Sequence, residues 1–314
     1  MAAVTAVRPA NLSKFARLRR KPWGAIALFI GPALALYLAF LIVPVFMTFY
    51  NSFHILRMDM NMKLEFVGLR HYIDLLTQDD IFRMAVRNSL IWAFTSPLLE
   101  IPFALLLSLI LYTKIPFTRF FRVTWFTPIL VSWVTVGIIF RWVFNYEWGI
   151  VNTLLRAVGL EEWVRNWLGT PLTALPSLIA VTTWKFTGFN MVILLAALSS
   201  IPDDYIDAAK IDGCTRLQLV WHMIVPMLRP TIVNLLILCF IGKMKQMELV
   251  WVTTRGGPIY NTETVATYVQ KRAFDWRTLD LGYPSAIAVL WFVVILAFSL
   301  FFTRVLQRRE SLEF

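Results

Sequence analysis

Residues 200–230 read SIPDDYIDAAKIDGCTRLQLVWHMIVPMLRP, a polar stretch between two strongly apolar ones. Ser200 followed by Asp203 has the spacing of a capping box, and Gly213 stands where a helix needs a residue tolerant of left-handed backbone in order to stop. A second box, Thr215 to Gln218, restarts a helix that should carry Leu217, Val220, Trp221 and Ile224 on one face until Pro226 and Pro230 end it. The expectation is a helix, a hinge and an amphipathic helix.

Working outward, the chain is too apolar to be soluble: 58% of its 314 residues are hydrophobic and only 16% charged. Apolar runs at about 23–50, 88–112, 122–144, 175–199, 231–253 and 284–306 are each long enough to cross a bilayer. The first exceeds the short apolar core of a cleavable signal peptide, and Pro32 and Pro44 are its candidate kinks. The fold class predicted is an all-α integral membrane protein with six transmembrane helices. Residues 1–22 form a basic cytoplasmic segment with Arg8, Lys14, Arg17, Arg19, Arg20 and Lys21 and no acidic residue. Residues 23–306 form the six-helix domain containing the 200–230 loop, and 307–314 form a cytoplasmic tail. Six spans put both termini in the cytoplasm, and the basic residues clustered beside the inner ends of the spans agree with that orientation. A net charge of +11 would suggest nucleic acid in a soluble chain, but here it sets orientation and meets anionic lipid, so the bilayer is the partner and nucleic acid is not.

Several chemistries have no residues to carry them. No GxxxxGK[ST] run exists to cradle nucleotide phosphates, so energy must come from another subunit. No HExxH, nucleophile elbow or paired carboxylate lies in a span, which leaves no catalytic group and no enzyme to propose. Cys214 and Cys239 make neither a disulfide framework nor a metal-ligand spacing, and His54, His71 and His222 are scattered singly. A self-powered secondary carrier should show an internal repeat, and none is visible.

Asp207, Ala208, Ala209, Gly213, Ile224 and Pro226 resemble the loop that marks membrane subunits of ATP-binding-cassette (ABC) importers, with Asp207 for the usual Glu and Val225 for the usual Leu. GLRHYIDLL at 68–76, FRVTWFTPILV at 121–131, GIVNTLLRAVGL at 149–160, TTRGGP at 253–258 and GYPSAIAV at 282–289 are similar to the carbohydrate-uptake branch. The Gly-Gly-Pro turn is typical there of the first permease of a maltose-type pair. The resemblance spans about residues 25–306. It implies the type I ABC importer transmembrane-domain fold in a bacterial-type cytoplasmic (inner) membrane, with the 200–230 loop as the coupling helix that docks in a groove of an ATPase subunit. It further implies a second permease in a heterodimer, ATPase subunits holding ATP and Mg, and an extracytoplasmic solute-binding protein. This chain would need no cofactor. The solute implied is a sugar, oligosaccharide or sugar derivative, with glycerol phosphodiesters, oligopeptides or another small polar solute as runners-up.

Polar side chains inside spans turn toward protein or a wet cavity, because exposure to lipid is costly. Candidates for the solute path are therefore Trp184, Lys185 and Asn190 in the fourth span and Lys243, Gln246, Met247 and Trp251 in the fifth. Lys245 and Glu248 have i,i+3 spacing and are expected to pair along one helix. Lys185 is expected to lie shallow enough for its stem to reach the interface. That leaves Lys243 as the unpaired cation and predicts a saccharide bearing a sulfonate, phosphate or carboxylate.

Overall fold

The computed structural model describes residues 23–56, 64–113, 115–275 and 280–304. The basic segment 1–22, the tail 307–314 and the last residues of the expected sixth span lie outside them. Contacts divide the chain into residues 1–50 and 51–314.

In the first unit, α1 (Trp23–Tyr37) and α2 (Val43–Asn51) are joined by a π turn over Leu38–Ile42. The Val43 N–H donates to the Leu38 carbonyl, five residues back, directly before Pro44. A proline ring clashes with the carbonyl four residues before it, and the wide turn removes that clash without ending the helix. Pro44 thus marks a π turn, and Pro32 is accommodated inside α1.

The second unit opens with a small antiparallel hairpin, β1 (His54–Leu56) with β2 (Leu64–Phe66), and α3 (Arg70–Thr77). His71 is buried with Nε2 3.2 Å from the His54 backbone carbonyl, a contact that ties α3 to the hairpin. The second span, α4 (Asp80–Tyr112), begins eight residues before the expected 88, because Asp79 caps it by accepting the Phe82 N–H at 2.8 Å. The third is broken: α5 (Thr118–Leu130) and α6 (Trp133–Val143) meet at 102°. Ser132 caps α6 through the Thr135 N–H. After α7 (Ile150–Ala157), α8 (Pro171–Ser199) supplies the fourth span, with Pro171 in its first turn. α4 and α8 are central, burying Ile101 and Ala104 against Met191, Leu194 and Leu235. Gly188 lets α8 approach α5 closely, since a Cβ there would overlap the Trp125 carbonyl.

The 200–230 loop differs from expectation in three ways. Ser200 Oγ donates to the Ala197 carbonyl at 2.7 Å, closing α8, and Pro202 is the N-cap of α9 (Asp203–Ile211), so no Ser200–Asp203 box forms. Second, Pro226 does not end the next helix. α10 (Arg216–Leu219) passes through a π turn at Val220–Ile224 into α11 (Val225–Met227), with the Val225 N–H on the Val220 carbonyl immediately before the proline. The chain then bends by 66° at Leu228, and Pro230 sits in the first turn of α12 (Arg229–Met244). Third, the expected apolar face splits. Leu217 and Trp221 are 69% and 60% exposed whereas Ile224 is buried with Leu198, Ile201 and Leu228, because the π turn carries the following residues off the earlier α-helical phase. The hinge and second box do form: Gly213 has φ +80°, Cys214 N–H reaches the Ala209 carbonyl, and Thr215 and Gln218 cap each other.

α12 is followed by a break over Lys245–Met247, α13 (Glu248–Thr253), α14 (Val265–Gln270), a π turn at Lys271–Asp275 and α15 (Gly282–Phe302). Among the described residues, four helices are long and apolar enough to cross a membrane, or up to six spans if each bent pair counts as one.

Candidate solute path and coupling surface

Two broken spans shape the interior. Where α5 stops, the Pro128 carbonyl takes the Val131 N–H at 3.3 Å, and the Lys185 ammonium of α8 supplies a further donor to it and to carbonyls that follow. It donates to the carbonyls of Pro128 at 2.8 Å, Ile129 at 3.2 Å and Val131 at 2.5 Å, with the Trp133 ring centroid 5.0 Å away. A cation at a helix C-terminus complements its dipole. Lys185 is therefore buried at a break and does not reach the interface. At the second break, Trp291 Nε1 donates to the Met244 carbonyl at 2.9 Å and Thr264 Oγ1 to the Gln246 carbonyl at 2.8 Å. Both groups are buried, so the irregular backbone here is satisfied by protein.

Between the breaks lies a cavity of about 270 Å³, lined among others by Trp133, Phe186, Asn190, Cys239, Lys243 and Gln246. Lys243 Nζ stands 2.6 Å from Glu100 Oε1 of α4, with the side chains 3% and 0% exposed. The expectation of an unpaired Lys243 is thus overturned: its partner is 143 residues back in sequence, beyond the reach of any spacing rule within one helix. Neither Glu100 oxygen accepts a well-directed hydrogen bond, so attraction to Lys243 is what holds the carboxylate. Asn190 and Cys239 adjoin the pair, with Asn190 Nδ2 3.5 Å from Cys239 Sγ. The Lys243 ammonium also lies 3.8 Å from the Phe186 ring centroid. Gln246 Nε2 is buried without a partner.

Of the residues expected along the path, Asn190, Lys243 and Gln246 line this cavity, and Lys185 braces its wall from behind Trp133. Trp184 packs edge-on to Phe140 and is 40% exposed. Met247 faces a separate cleft with Ile241, Val265 and Trp291, and Trp251 lies under the Arg255 guanidinium at 5.7 Å. Lys243, Gln246, Met247 and Trp251 do not line one face, because the helix breaks between Met244 and Glu248. The same break removes the i,i+3 relation of Lys245 and Glu248, which form no ion pair among the described residues. Sequence reasoning missed Glu100, Cys239 and Phe186. For Glu100 the signal was an acidic residue in an otherwise apolar span.

On the 200–230 loop, Asp207 lies in the second turn of α9, and its carboxylate pairs with Lys210 at 2.8 Å on the exposed side. That hydrogen bond holds the Lys210 pKa above its ordinary value. Ala208 and Ala209 precede the Gly213 hinge. Ile211, 85% exposed, joins Leu217 and Trp221 as apolar side chains left uncovered on either side of it. Ile224 is buried at the end of the π turn, and Pro226 follows it, exposed, in α11.

At the other end, Asp79 ties α4 to α14 and α15. Its Oδ2 accepts from Tyr268 at 2.5 Å, Tyr283 at 2.6 Å and Arg272 at 3.3 Å. Burial raises the Asp79 pKa, but the hydrogen bonds from Tyr268, Tyr283 and the Phe82 amide and the Arg272 charge outweigh it and hold the carboxyl below the usual range. Burial, then the bond to Asp79, pushes the Tyr268 hydroxyl up. Nearby, buried Glu263 takes Thr267 and Lys271, and Gly256 packs so close to its carboxylate that no side chain fits.

Residues 101–311 match the family described as "Binding-protein-dependent transport system inner membrane component". The chain belongs to this family. It is therefore a multi-pass permease component of a binding-protein-dependent importer in the inner membrane, and not an enzyme. It is 32% identical to the trehalose/maltose transport system permease protein MalF of Thermococcus litoralis, over 90% of this chain and 94% of that protein. It is 29% identical to the sulfoquinovosyl glycerol transport system permease protein SmoG of Agrobacterium fabrum, over 90% of each. The fold matches a chain of a bacterial ABC transporter that imports the acidic polysaccharide alginate, with a TM-score of 0.80, 23% identity and coverage of 94% of this chain and 98% of that one.

Proposed function

We propose that this permease moves a carbohydrate, delivered by its solute-binding protein, along a path through the cavity between the two broken spans. The observation that carries the reading is the cavity wall, where the rings of Trp133, Phe186 and Phe189, the amides of Asn190 and Gln246 and the Lys243–Glu100 ion pair are gathered. Sugars present hydroxyls at their rims and apolar C–H faces, which amides and aromatic rings satisfy together. The relatives that transport trehalose and maltose or sulfoquinovosyl glycerol support the solute class. The chain pairs with a second, related permease, and separate ATPase subunits hold ATP and Mg. Both termini and the Gly213 loop face the cytoplasm, and the Gly256–Pro258 loop faces outward. ATPase closure, felt through Asp207–Gly213 and the exposed Ile211, Leu217 and Trp221, biases the bundle between outward and inward access.

The test is reconstitution. Complex purified through this chain should contain a second permease and an ATPase. In proteoliposomes it should take up radiolabelled oligosaccharide only with ATP and the binding protein present. Gln246→Leu and Asn190→Leu should each slow uptake at least tenfold while leaving the complex assembled. Wild-type uptake by both variants would refute the path.

A further inference from the structure

We propose that Glu100 determines the charge specificity of this permease, by neutralising Lys243 so that the path accepts uncharged, hydroxyl-rich solutes and disfavours anions. The inference rests on the path proposed above. Lys243 lines the cavity while Glu100, fully buried on α4, stands behind it as part of the wall. The ammonium seen from the cavity therefore comes with its counter-charge already fixed 2.6 Å away. The other charges add to the same balance. Lys245 and Glu248 both line the cavity and carry opposite signs, and the Lys185 ammonium is committed to three carbonyls at the negative end of α5. Lys243 and Lys245 are thus matched by Glu100 and Glu248, and the third lysine, Lys185 behind the wall, is held by backbone carbonyls. An anionic solute would have to share the Lys243 ammonium with the Glu100 carboxylate and meet its repulsion, or draw the ammonium away and leave that carboxylate buried alone, and either is costlier than the pair. A hydroxyl asks for less. Gln246 Nε2 is a buried donor with no protein partner on this wall, and the Asn190 amide adds a donor and an acceptor, so the polar groups still available suit neutral oxygen atoms.

Glu100→Gln keeps the shape and removes only the negative charge, leaving Lys243 as a net cation facing the cavity. Cys239 lies on the same wall and gives a direct readout. In the assembled complex, Cys239 is modified with an anionic reagent, sulfonatoethyl methanethiosulfonate, and a cationic one, trimethylammonioethyl methanethiosulfonate. Peptide-resolved mass spectrometry separates it from Cys214, the chain's other cysteine. The ratio of anionic to cationic rates cancels any change in the thiol's own reactivity. Glu100→Gln should raise that ratio about tenfold, Lys243→Met should lower it by a similar factor, and the double variant should return near wild type. Should Glu100→Gln fail to assemble, the comparison of Lys243→Met with the double variant reads the same charge and should show the same rise. A ratio unmoved by loss of Glu100 overturns this inference and leaves the path standing. Failure of either reagent to modify Cys239 in any variant overturns the path and this inference with it.

Discussion

Lys185→Met tests the brace at the break in the third span. The substitution keeps the length and apolar stem of the side chain and removes the ammonium from the carbonyls of Pro128, Ile129 and Val131, at 2.8, 3.2 and 2.5 Å. The Pro128 carbonyl retains the Val131 N–H at 3.3 Å. The other two lose this side-chain donor. Each hydrogen bond from a charged donor contributes about 1.5–3 kcal/mol, and the carbonyls left behind are costly. Against this stands the desolvation of a buried cation, several kcal/mol, which the variant no longer bears. The balance is a loss of about 2–4 kcal/mol, or roughly 3–6 °C in the thermal midpoint of this 314-residue chain within the purified complex. Trp184→Phe, one residue away but packed against Phe140 on a partly exposed face, is the control and should shift the midpoint by less than about 2 °C. A Lys185→Met complex that melts with wild type would refute the idea that the ammonium replaces the missing end of α5.

Gly213→Val forces a β-branched residue into φ +80° and should abolish coupling, so that the complex hydrolyses ATP without solute uptake; undiminished uptake would sink the hinge. Asp207→Ala removes only an exposed pair with Lys210 and should reduce coupled transport severalfold at most. Cys214 and a cysteine introduced at Ile259, exposed in the loop after Gly256–Pro258, should react with impermeant reagents from opposite sides of sealed cells, and same-side labelling would disprove the six-span topology. Because the Asp79 pKa lies below the reference 3.8, its contribution to the native state is complete above that value and lost as pH falls through the native pKa. The midpoint difference between wild type and Asp79→Asn should then be constant from about pH 5 to about pH 8 and shrink only below about pH 4; a decline beginning near pH 7 would contradict this.

What could be read in the sequence followed from local chemistry. Hydropathy located the spans, and the Thr215–Gln218 box and the Gly213 stop were legible because a cap or a left-handed residue acts on its own neighbours. The misreadings involve residues whose partners are distant or whose helix is interrupted. Ser200 had two backbone ends within reach and took the earlier one. Lys243 was assigned no partner because Glu100 is brought to it only when α4 packs beside α12. Lys245 and Glu248 were paired by a spacing rule that holds only in an unbroken helix. Nothing local in the apolar run 231–253 announces its break, since the groups that stabilise it, Thr264 and Trp291, lie beyond it in the chain.

The two Val-Pro pairs, at 43–44 and 225–226, sit at the same kind of wide turn. One extra residue in a helix sets everything after it about 100° out of step with what came before. In the stretch from Arg216 to Met227 this puts the uncovered Leu217 and Trp221 and the anchored Ile224 on different bearings. A proline has no N–H with which to restore the tighter spacing, so the extra residue cannot be passed along the chain toward the fifth span. The bearings of Leu217 and of Ile224 are therefore fixed relative to each other by where Pro226 stands.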